Sequence, residues 1–465
     1  VLHGGDLLSP SMESEIWFGG QMVDALNFID RIAPTYFIAG NHEFDIRDRD
    51  LAYFINAVRS SEFDWVGDNY RFKTGDEVAD AAVHTAFMFE AAGKTIGLFA
   101  ITANPSDGGV IRDYVEYDND YLATARRVIA ELEAKNVDMI IGLTHLYWHD
   151  DEKLALLREE SPKLEFIVGG HDHEADSRMQ TDVSAAVFKG SSNARVVWRI
   201  DVDFDAAGDA SILAVEIPLD FAVAKDPEYQ LVEDEWRAEL ARLYPIIDAR
   251  LGMANLPFDV TEETVRNKEN AWGNFLADTA RTAFGKPASD LAFINSGSIR
   301  IDDYIVEDIT YEDIARTFGF PSQLRRIEVN GADFVDMMEA GYRGSGGSKG
   351  YFPQVSGFRV CVDRAREDFD RIVSLQTKGE NGWGEINPDR SYSLILPDFI
   401  FGDQDGYVMP TGSRDTASPP GPELKYLVVD TIIKQQFVNQ GVGEVVDPAN
   451  PRFVELGLDR KDCWQ

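Results

Sequence analysis

The stretch that decides the fold is TYFIAGNHEFD, residues 35–45, in which an apolar run ends directly in a Gly-Asn-His-Glu sequence. The first five residues have the composition of a short buried strand, and Gly40 permits the tight turn that a strand end requires. Side chains with metal-binding and acid–base chemistry therefore stand at the carboxyl end of a predicted strand.

Three further clusters of polar residues also follow apolar runs. Gly4-Gly5-Asp6 follows the apolar start of the chain, His145 follows the run at 137–143, and the GHDH segment at 170–173 follows the run at 164–168. Chance is a poor explanation for four such clusters at four strand ends. Because the carboxyl ends of strands in an open α/β sheet face one crevice, we expect these side chains to converge.

The length of the chain predicts two domains, because 465 residues exceed one ordinary hydrophobic core. Up to about residue 222, short apolar runs such as 95–101 alternate with helical periodicity, as over 122–132, which predicts an α/β domain. A charged, proline-poor stretch at 226–251 predicts a linking helix. The predicted division is therefore a first domain at 1–222, a linker helix at 223–254 and a second α/β domain at 255–465.

Composition excludes several classes of partner. With 81 acidic and 44 basic residues, the formal net charge is −37, which excludes nucleic acid and anionic membranes as partners. No apolar stretch approaches the ~18–20 residues that a membrane span needs. The two cysteines, Cys361 and Cys463, are too few for a disulfide framework or a thiolate metal site. A phosphate-bearing ligand would have to be attracted locally, by metal ions or a few arginines.

The polar clusters suit a transition-metal site. Asp6, Asn41 and the histidines 145, 171 and 173 supply oxygen and imidazole without thiolate, which favours Zn, Mn, Fe or a similar divalent ion over calcium. A carboxylate such as Asp6 can bridge two ions, and a metal pair ~3.5–4 Å apart is a recurring clamp for phosphoryl hydrolysis. The remaining lone histidines are interpreted as structural residues: His3, His84 and His149.

Four features resemble, in their order along the chain, the metal motifs of the two-domain 5'-nucleotidase family of the metallophosphoesterase (calcineurin-like) superfamily. They are GGD, GNHEFD, the isolated His145 and GHDH. The resemblance implies an α/β fold: a metallophosphoesterase-type β-sandwich with flanking helices, a linking helix and a second α/β domain. It also implies two divalent metal ions and a catalytic His–Asp pair. The implied roles are these: Asp6 bridges the metals, Asn41, His145 and His171 complete one site, His173 contributes to the other, and His42 and Asp45 form the catalytic pair.

The family's first metal motif has no counterpart in the present sequence. In the family an Asp-x-His motif stands on the first strand, ahead of GGD, and supplies two ligands to one metal. The sequence begins at Val1, just before GGD. We therefore expect the motif to lie upstream of Val1; the alternative is that one metal site is degraded.

The second half of the chain resembles the family's substrate-binding domain. Four segments are similar to motifs of that domain: ENAWGN (269–274), NSGSIR (295–300), FPQVSG (352–357) and the segment 398–407. The resemblance implies that Arg266, Asn295 and Arg300 contact phosphate or ribose, that Asp405 contacts the ribose hydroxyls, and that Phe320 and Phe399 clamp the base. It also implies that the two regions close on each other around the linking helix.

This half departs from the family pattern at the clamp and leaves alternatives open. The family's P-F-G-N reads GFPS at 319–322, and its Gly-Gly before Asp405 reads Asp403-Gln404. Single aromatic residues such as the two phenylalanines are usually core, and the two arginines could be surface ion-pair partners. Arg300 closes a glycine-containing loop, and its planar fork matches phosphate, whereas Arg266 lacks such a setting.

The sequence thus predicts a secreted, periplasmic or cell-surface metallophosphatase that acts on nucleotides, most simply a 5'-nucleotidase. Water attacks phosphorus in line, and His42 stabilises the developing charge. The rival activities on the same scaffold are nucleotide-sugar and 2',3'-cyclic nucleotide hydrolysis. A rival of another class is a non-catalytic binding or assembly protein with one degraded metal site. The oligomeric state, metal identity and preferred nucleotide stay open.

Overall fold

The computed structural model divides the chain into two compact units, Val1–Glu239 (unit 1) and Leu240–Gln465 (unit 2). The structure describes residues 1–105, 112–220, 222–344, 349–379, 382–437, 440–458 and 460–464. Among these residues no helix is long and apolar enough to span a bilayer.

Unit 1 contains fourteen strands and seven helices within its described residues. The strands are β1 (Leu2–His3), β2 (Tyr36–Ile38), β3 (Asp64–Val66), β4 (Tyr70–Phe72), β5 (Val83–His84), β6 (Phe87–Ala91), β7 (Lys94–Thr102), β8 (Val115–Tyr117), β9 (Met139–His145), β10 (Leu164–Gly169), β11 (Asp176–Arg178), β12 (Ala186–Lys189), β13 (Val196–Phe204) and β14 (Ala210–Pro218). The helices are α1 (Met12–Trp17), α2 (Gly20–Asp30), α3 (Leu51–Ser60), α4 (Glu77–Asp80), α5 (Tyr121–Ala134), α6 (Trp148–Ala155) and α7 (Pro227–Leu243). The four strands predicted at 35–39, 95–101, 137–143 and 164–168 and the helix over 122–132 are confirmed.

Two sheets carry the site-bearing strand ends of unit 1. One sheet has the order β1-β2-β3-β5 with all neighbours parallel. The other has the order β11-β12-β10-β9-β7-β6, and its central strands β12, β10, β9 and β7 are parallel. Parallel alignment places the carboxyl ends of β1 and β2 at one edge of the first sheet and those of β9 and β10 at one edge of the second.

The two sheets share one apolar core. Phe37 and Ile38 of β2 pack in the same buried cluster as Leu98 of β7, Ile141 of β9 and Phe166 of β10. The opposite face of the six-stranded sheet packs against helices α5 and α6 in a second cluster. Unit 1 is therefore a sandwich of two sheets with flanking helices, as the sequence predicts.

The linking helix is shorter than predicted. Helix α7 ends at Leu243, and the chain enters a strand at Arg250, so the prediction of a linker helix over 223–254 is wrong for its last third. Pro245 explains the early end, because a proline disfavours helical backbone in the residue before it and has no N–H to donate. Most of α7 lies in unit 1, whose boundary at Glu239 it crosses by four residues, and its Trp236 meets Trp17 of α1 at 4.7 Å between ring centroids.

Unit 2 contains twelve strands and six helices within its described residues. The strands are β15 (Arg250–Met253), β16 (Phe258–Asp259), β17 (Leu291–Asn295), β18 (Tyr304–Ile305), β19 (Asp308–Thr310), β20 (Leu324–Asn330), β21 (Pro353–Ser356), β22 (Phe358–Val362), β23 (Ile372–Gly379), β24 (Gly382–Glu385), β25 (Ser391–Pro397) and β26 (Phe453–Glu455). The helices are α8 (Glu262–Val265), α9 (Ala271–Arg281), α10 (Tyr311–Thr317), α11 (Gly331–Glu339), α12 (Asp398–Phe401) and α13 (Leu424–Phe437).

Two four-stranded sheets organise unit 2. Their orders are β20-β25-β17-β21 and β24-β23-β22-β26, and each mixes parallel and antiparallel neighbours. Phe293 of β17 and Leu394 of β25 share a buried cluster with Val360 of β22 and Leu375 of β23. A disulfide joins Cys361 of β22 to Cys463, with the two Cα atoms 5.6 Å apart. Two cysteines give no framework of bridges, but the sequence analysis overlooked this single one.

Candidate functional site

The predicted metal ligands of unit 1 come together around His145. Its Nε2 lies 3.1 Å from Asn41 Oδ1, 3.1 Å from His171 Nδ1 and 3.2 Å from Asp6 Oδ2. His145 is 1% exposed, so the cluster is almost closed to solvent on its side. The residues belong to four different strand ends: Asp6 follows β1, Asn41 follows β2, His145 ends β9 and His171 follows β10.

The chemistry of this cluster fits a cation. The Nδ1 of His145 lies 2.6 Å from the Gly4 carbonyl oxygen, which can only accept, so Nδ1 carries a proton. Its Nε2 faces three further atoms that can bind a cation: Asn41 Oδ1, His171 Nδ1 and Asp6 Oδ2. Burial opposes a charge on His145, but the Asp6 carboxylate raises the pKa of its imidazole, so positive charge is favoured among these atoms. Asp6, His145 and His171 offer ligand atoms within 4.8 Å of one another, which suits a divalent ion.

The local electrostatics keep two of these groups in the form that binds metal. Burial opposes ionisation of Asp6, but the His145 and His42 imidazoles hold the pKa of that carboxyl well below its ordinary value. Burial, together with the neighbouring His145, keeps the pKa of His171 well below its ordinary value. An ionised carboxylate and a neutral imidazole are the ligand forms, so neither must lose a proton first.

Glycines allow the strand ends to approach so closely. Gly5 has φ +90°, and a Cβ placed there would lie 2.7 Å from His145 Nδ1 and 2.6 Å from the Gly40 nitrogen. Any side chain at this position would therefore separate the GGD turn from the GNHE turn. The predicted role of glycine in these turns is thus one of close backbone approach.

The predicted catalytic pair is assembled in one short 3₁₀ turn, His42–Asp45. His42 Nδ1 lies 2.7 Å from Asp45 Oδ2, and the Ser9 hydroxyl donates to the same oxygen at 2.9 Å. The backbone N–H of His42 donates to Asp6 Oδ1 at 2.8 Å. The pair is therefore tied directly to a predicted metal ligand, and the His42 side chain keeps 19% of its surface exposed.

Glu43 is a residue of this site to which the sequence analysis assigned no role. Its fully buried carboxylate accepts the backbone N–H groups of Asp6, Leu7, Leu8 and Gly40 at 2.5–3.0 Å. The carboxylate thus fastens the GGD turn to the GNHE turn. The available signal was an acidic residue inside an otherwise assigned motif, but its partners are backbone groups that a sequence does not display.

His173 and the three lone histidines are not in the group of possible metal ligands that the described residues form. The carbonyl of His173 accepts the Ser192 N–H at 3.0 Å. His3 packs its ring on Phe37 and accepts the Gly5 N–H, in keeping with a structural role. The other two are exposed beside carboxylates: His84 and His149.

In unit 2 the predicted substrate residues gather at the end of β17. Asn295 is 2% exposed, and its amide donates to Asp405 Oδ2 at 2.9 Å. Burial raises the pKa of Asp405, and the hydrogen bond from Asn295 and the nearby Arg343, Arg266 and Arg300 oppose that rise. A carboxylate and three guanidinium groups therefore share one small region of the unit.

The two predicted phosphate-binding arginines have different surroundings. Arg266 is 4% exposed and forms an ion pair with Glu262; burial lowers the pKa of its guanidinium to about 10. Arg300 lies with its guanidinium carbon 5.7 Å from the centre of the Phe320 ring. Arg266 is thus a buried ion-pair partner, not the surface one that the sequence left open.

The predicted clamp residues are not both core. Phe399 is 42% exposed on the short helix α12, and Phe320 is half-buried beside Arg300. Arg343, which the sequence analysis did not single out, donates from Nη1 to the Asp405 carbonyl at 2.8 Å and stacks on Tyr351 at 3.8 Å. It thereby holds the loop that carries Asp405.

Two family models match the chain. The model described as calcineurin-like phosphoesterase matches residues 1–175, and the one described as 5'-nucleotidase, C-terminal domain, matches residues 249–412. The trifunctional nucleotide phosphoesterase protein YfkN of Bacillus subtilis (strain 168) is 25% identical and covers 99% of this chain. An apyrase of Anopheles gambiae is 23% identical and covers 88%.

The matches differ in how much of each relative they span. The chain spans 33% of the length of the B. subtilis protein and 75% of the mosquito apyrase. Among solved structures, a 5'-nucleotidase precursor from Thermus thermophilus aligns with a TM-score of 0.82 at 20% identity, over 98% of this chain and 90% of that one. At this identity the structural likeness establishes the fold of both units.

Proposed function

The chain belongs to the two-domain 5'-nucleotidase family of the calcineurin-like phosphoesterases, and from that membership we propose that it hydrolyses nucleotide phosphomonoesters with the help of divalent metal ions. The observation that carries the proposal is the convergence of Asp6, Asn41 and His171 on His145, beside a His–Asp pair. A metal cluster next to a positioned acid is the machinery that phosphoryl hydrolysis requires.

In this proposal Asp6, Asn41, His145 and His171 hold a divalent ion, with Zn, Mn and Fe as the candidates. Bound divalent ions polarise a phosphoryl group and lower the pKa of water, which supplies the nucleophile. By family resemblance, His173 contributes to a second ion and Asp6 bridges the pair. The number and identity of the ions belong to the proposal.

His42 has the role of an acid in this scheme. Because Nδ1 is held by Asp45 at 2.7 Å, the proton that His42 contributes to the phosphoryl or leaving oxygen is the one on Nε2. The Asp45 carboxylate orients the imidazole, and the Ser9 hydroxyl at 2.9 Å fixes the orientation of that carboxylate. The ring is thereby held in the orientation that proton donation needs.

Unit 2 supplies recognition in the proposal. Asn295, Arg266 and Arg300 are assigned to phosphate or ribose and Asp405 to the ribose hydroxyls. Phe320 and Phe399 are assigned to the base, and the 42% exposure of Phe399 supports this assignment over a core role. We also propose a secreted, periplasmic or cell-surface location, which the disulfide supports because such bonds persist in oxidising compartments.

The test is phosphate release from an AMP-like nucleotide by chelator-treated protein, before and after addition of Mn²⁺ or Zn²⁺. We expect activity only with metal, and we expect His171→Ala to lose both bound metal and activity. Hydrolysis that is indifferent to chelation would contradict the proposal. Stable metal binding without hydrolysis of any nucleotide would instead favour a binding protein.

A matched comparison tests the nucleotide part. Phe399→Ala should weaken binding of the nucleotide by ~1–3 kcal/mol, the scale of one base–aromatic stack, and leave a small phosphate ester without a base nearly unaffected. The same change at Phe320 should behave alike. Equal losses for both substrates would show that these residues hold the fold and would remove the support for base recognition.

A further inference from the structure

A buried lysine lies directly behind the GHDH turn. Lys189 is the last residue of β12 and is 1% exposed. Its Nζ lies 2.6 Å from the Leu146 carbonyl oxygen, 2.8 Å from the Gly170 carbonyl oxygen, 2.5 Å from Asp151 Oδ2 and 3.0 Å from Asp172 Oδ2. Four acceptors surround one ammonium group, so the charge is fully paired and its position is fixed.

The four acceptors come from three separate parts of unit 1: the residue after β9, helix α6 and the GHDH turn. Leu146 follows β9 and is the neighbour of His145, whereas Gly170 follows β10 and is the neighbour of His171. Asp151 belongs to helix α6 and is fully buried, and Asp172 lies within the GHDH turn itself. One side chain therefore joins the turns that carry two predicted metal ligands to the adjacent helix and strand.

Gly169 shows that the backbone is packed tightly against this ion cluster. A Cβ at Gly169 would lie 2.9 Å from Asp151 Oδ2, 3.0 Å from Lys189 Nζ and 2.6 Å from Thr144 Oγ1. A side chain at this position would displace the lysine or its partner. Only a glycine therefore fits at position 169, between the backbone of β10 and the side chains of Asp151 and Lys189.

The backbone of the GHDH turn needs such support. His171 has φ +85° and His173 has φ +67°, both in the left-handed region that L residues adopt only at a cost. Asp172, between them, is held at both oxygens: Oδ2 faces Lys189, and Oδ1 accepts the Trp148 N–H at 3.2 Å. These two contacts fix the position of Asp172. Because Asp172 lies between His171 and His173 in the sequence, they also restrict the backbone of both histidines.

We propose that Lys189 is a positioning residue for the metal centre: through Asp172 and the Gly170 carbonyl it holds the GHDH turn in the conformation that directs His171 toward Asp6 and His145. The inference rests on the proposed function only in that the centre binds a divalent ion. Lys189 itself touches neither metal nor substrate. Loss of such an outer partner typically costs 10- to 100-fold in metal affinity.

The experiment compares Lys189→Met with wild type in two measurements that need no substrate. In chelator-treated protein, hydrogen exchange of the peptide that contains residues 170–173 should be at least ~10-fold faster in the variant. Affinity for Mn²⁺ or Zn²⁺, measured by calorimetry, should fall ~10- to 100-fold. The matched control is Lys94→Met, which removes an ion pair with Asp138 at the amino-terminal end of β7 and should change neither.

Unchanged exchange and unchanged metal affinity in a folded Lys189→Met protein would overturn the proposal. If that variant does not fold, Asp172→Asn is decisive, because its side chain is 19% exposed and the change preserves shape. This second variant should show the same two effects with smaller size, and wild-type behaviour in both would overturn the proposal. A wild type that binds metal but hydrolyses no nucleotide contradicts the proposed function and leaves this inference standing.

Discussion

His42 is the residue whose role can be isolated most cleanly. We predict that His42→Ala lowers kcat by ~10²–10⁴, the usual scale for a positioned acid, and retains bound metal. The reason is that its ring is held to Asp45 at 2.7 Å and is not one of the three groups gathered around His145 Nε2. Turnover on a nucleotide and metal content by elemental analysis check both parts.

The control for this substitution is His84→Ala, which changes an exposed histidine at a strand end near Asp64. It should leave turnover and metal content as in wild type. Loss of bound metal from the His42 variant would contradict the assignment and make His42 a ligand.

For individual residues, the sequence predicted which side chains gather at the candidate metal site. It did not predict the hydrogen bonds that hold their turns in place. Asn41, His145 and His171 could be placed because each stands at or just after an apolar run that forms a parallel strand, although the sequence did not show that β2 belongs to one sheet and β9 and β10 to another. Glu43 and Lys189 could not, because their partners are carbonyl and N–H groups of residues distant in the sequence. The assignment of His173 to a second ion stays a prediction.

At the scale of elements, length decided what the sequence could predict. Strands β7, β9 and β10 are long, apolar runs and were placed within one or two residues. The two-stranded pairs β15–β19 and β16–β18 were not predicted, because strands of two to four residues display no period. The early end of α7 had a visible cause in Pro245, which the helical periodicity around it obscured.

Asp68 links elements that meet at β3 and makes the stability of unit 1 depend on pH. It accepts the N–H groups of Ala86 and of Ala100 in β7, both at 2.7 Å, and burial raises its pKa to about 6. Between the ordinary carboxyl pKa and about 6, the folded protein binds more protons at this site than the unfolded chain does. Asp68 therefore adds stability below that window, and the addition is lost as pH rises through it.

We predict that the contribution of Asp68 to the free energy of unfolding falls by up to about 3 kcal/mol between pH 4 and pH 7. Urea unfolding of wild type and Asp68→Asn across this range measures it, because asparagine does not titrate. The wild type should lose more stability with rising pH than the variant, whatever their absolute values. Parallel pH profiles would show that Asp68 has an ordinary pKa in the folded state.

The disulfide between Cys361 and Cys463 closes 102 residues of unit 2 and constrains the unfolded chain. We predict that Cys463→Ser lowers the free energy of unfolding by ~2–4 kcal/mol, the usual range for a native bridge. Denaturant unfolding with and without reductant measures the effect. Reductant should destabilise wild type by the same amount and leave the variant unchanged; a wild type indifferent to reductant would contradict the bridge.

The whole chain has 81 acidic and 44 basic residues, so ion pairs cannot neutralise all of its acidic side chains. Many arginines and lysines pair with carboxylates at the surface, as Arg31 does with Glu62 and Arg126 with Glu160, yet a net charge of −37 is left. Like charges repel, and folding brings them closer together. A cation-binding centre is compatible with this surface, since the same field attracts divalent ions and repels competing polyanions.

This net charge makes stability depend on salt. We predict that the urea midpoint of the metal-free protein at pH 7 rises as NaCl increases from about 0.05 to about 1 M, because the screening length shortens from more than ~10 Å to about 3 Å and repulsion weakens. Urea is the suitable denaturant, since it is uncharged and leaves ionic strength unchanged. The internal control is the same titration near pH 4.4, the isoelectric point, where net repulsion vanishes and the rise should disappear. An equal rise at both pH values would show that salt acts by strengthening apolar burial. In that case charge repulsion on the acidic surface would not lower the free energy of unfolding.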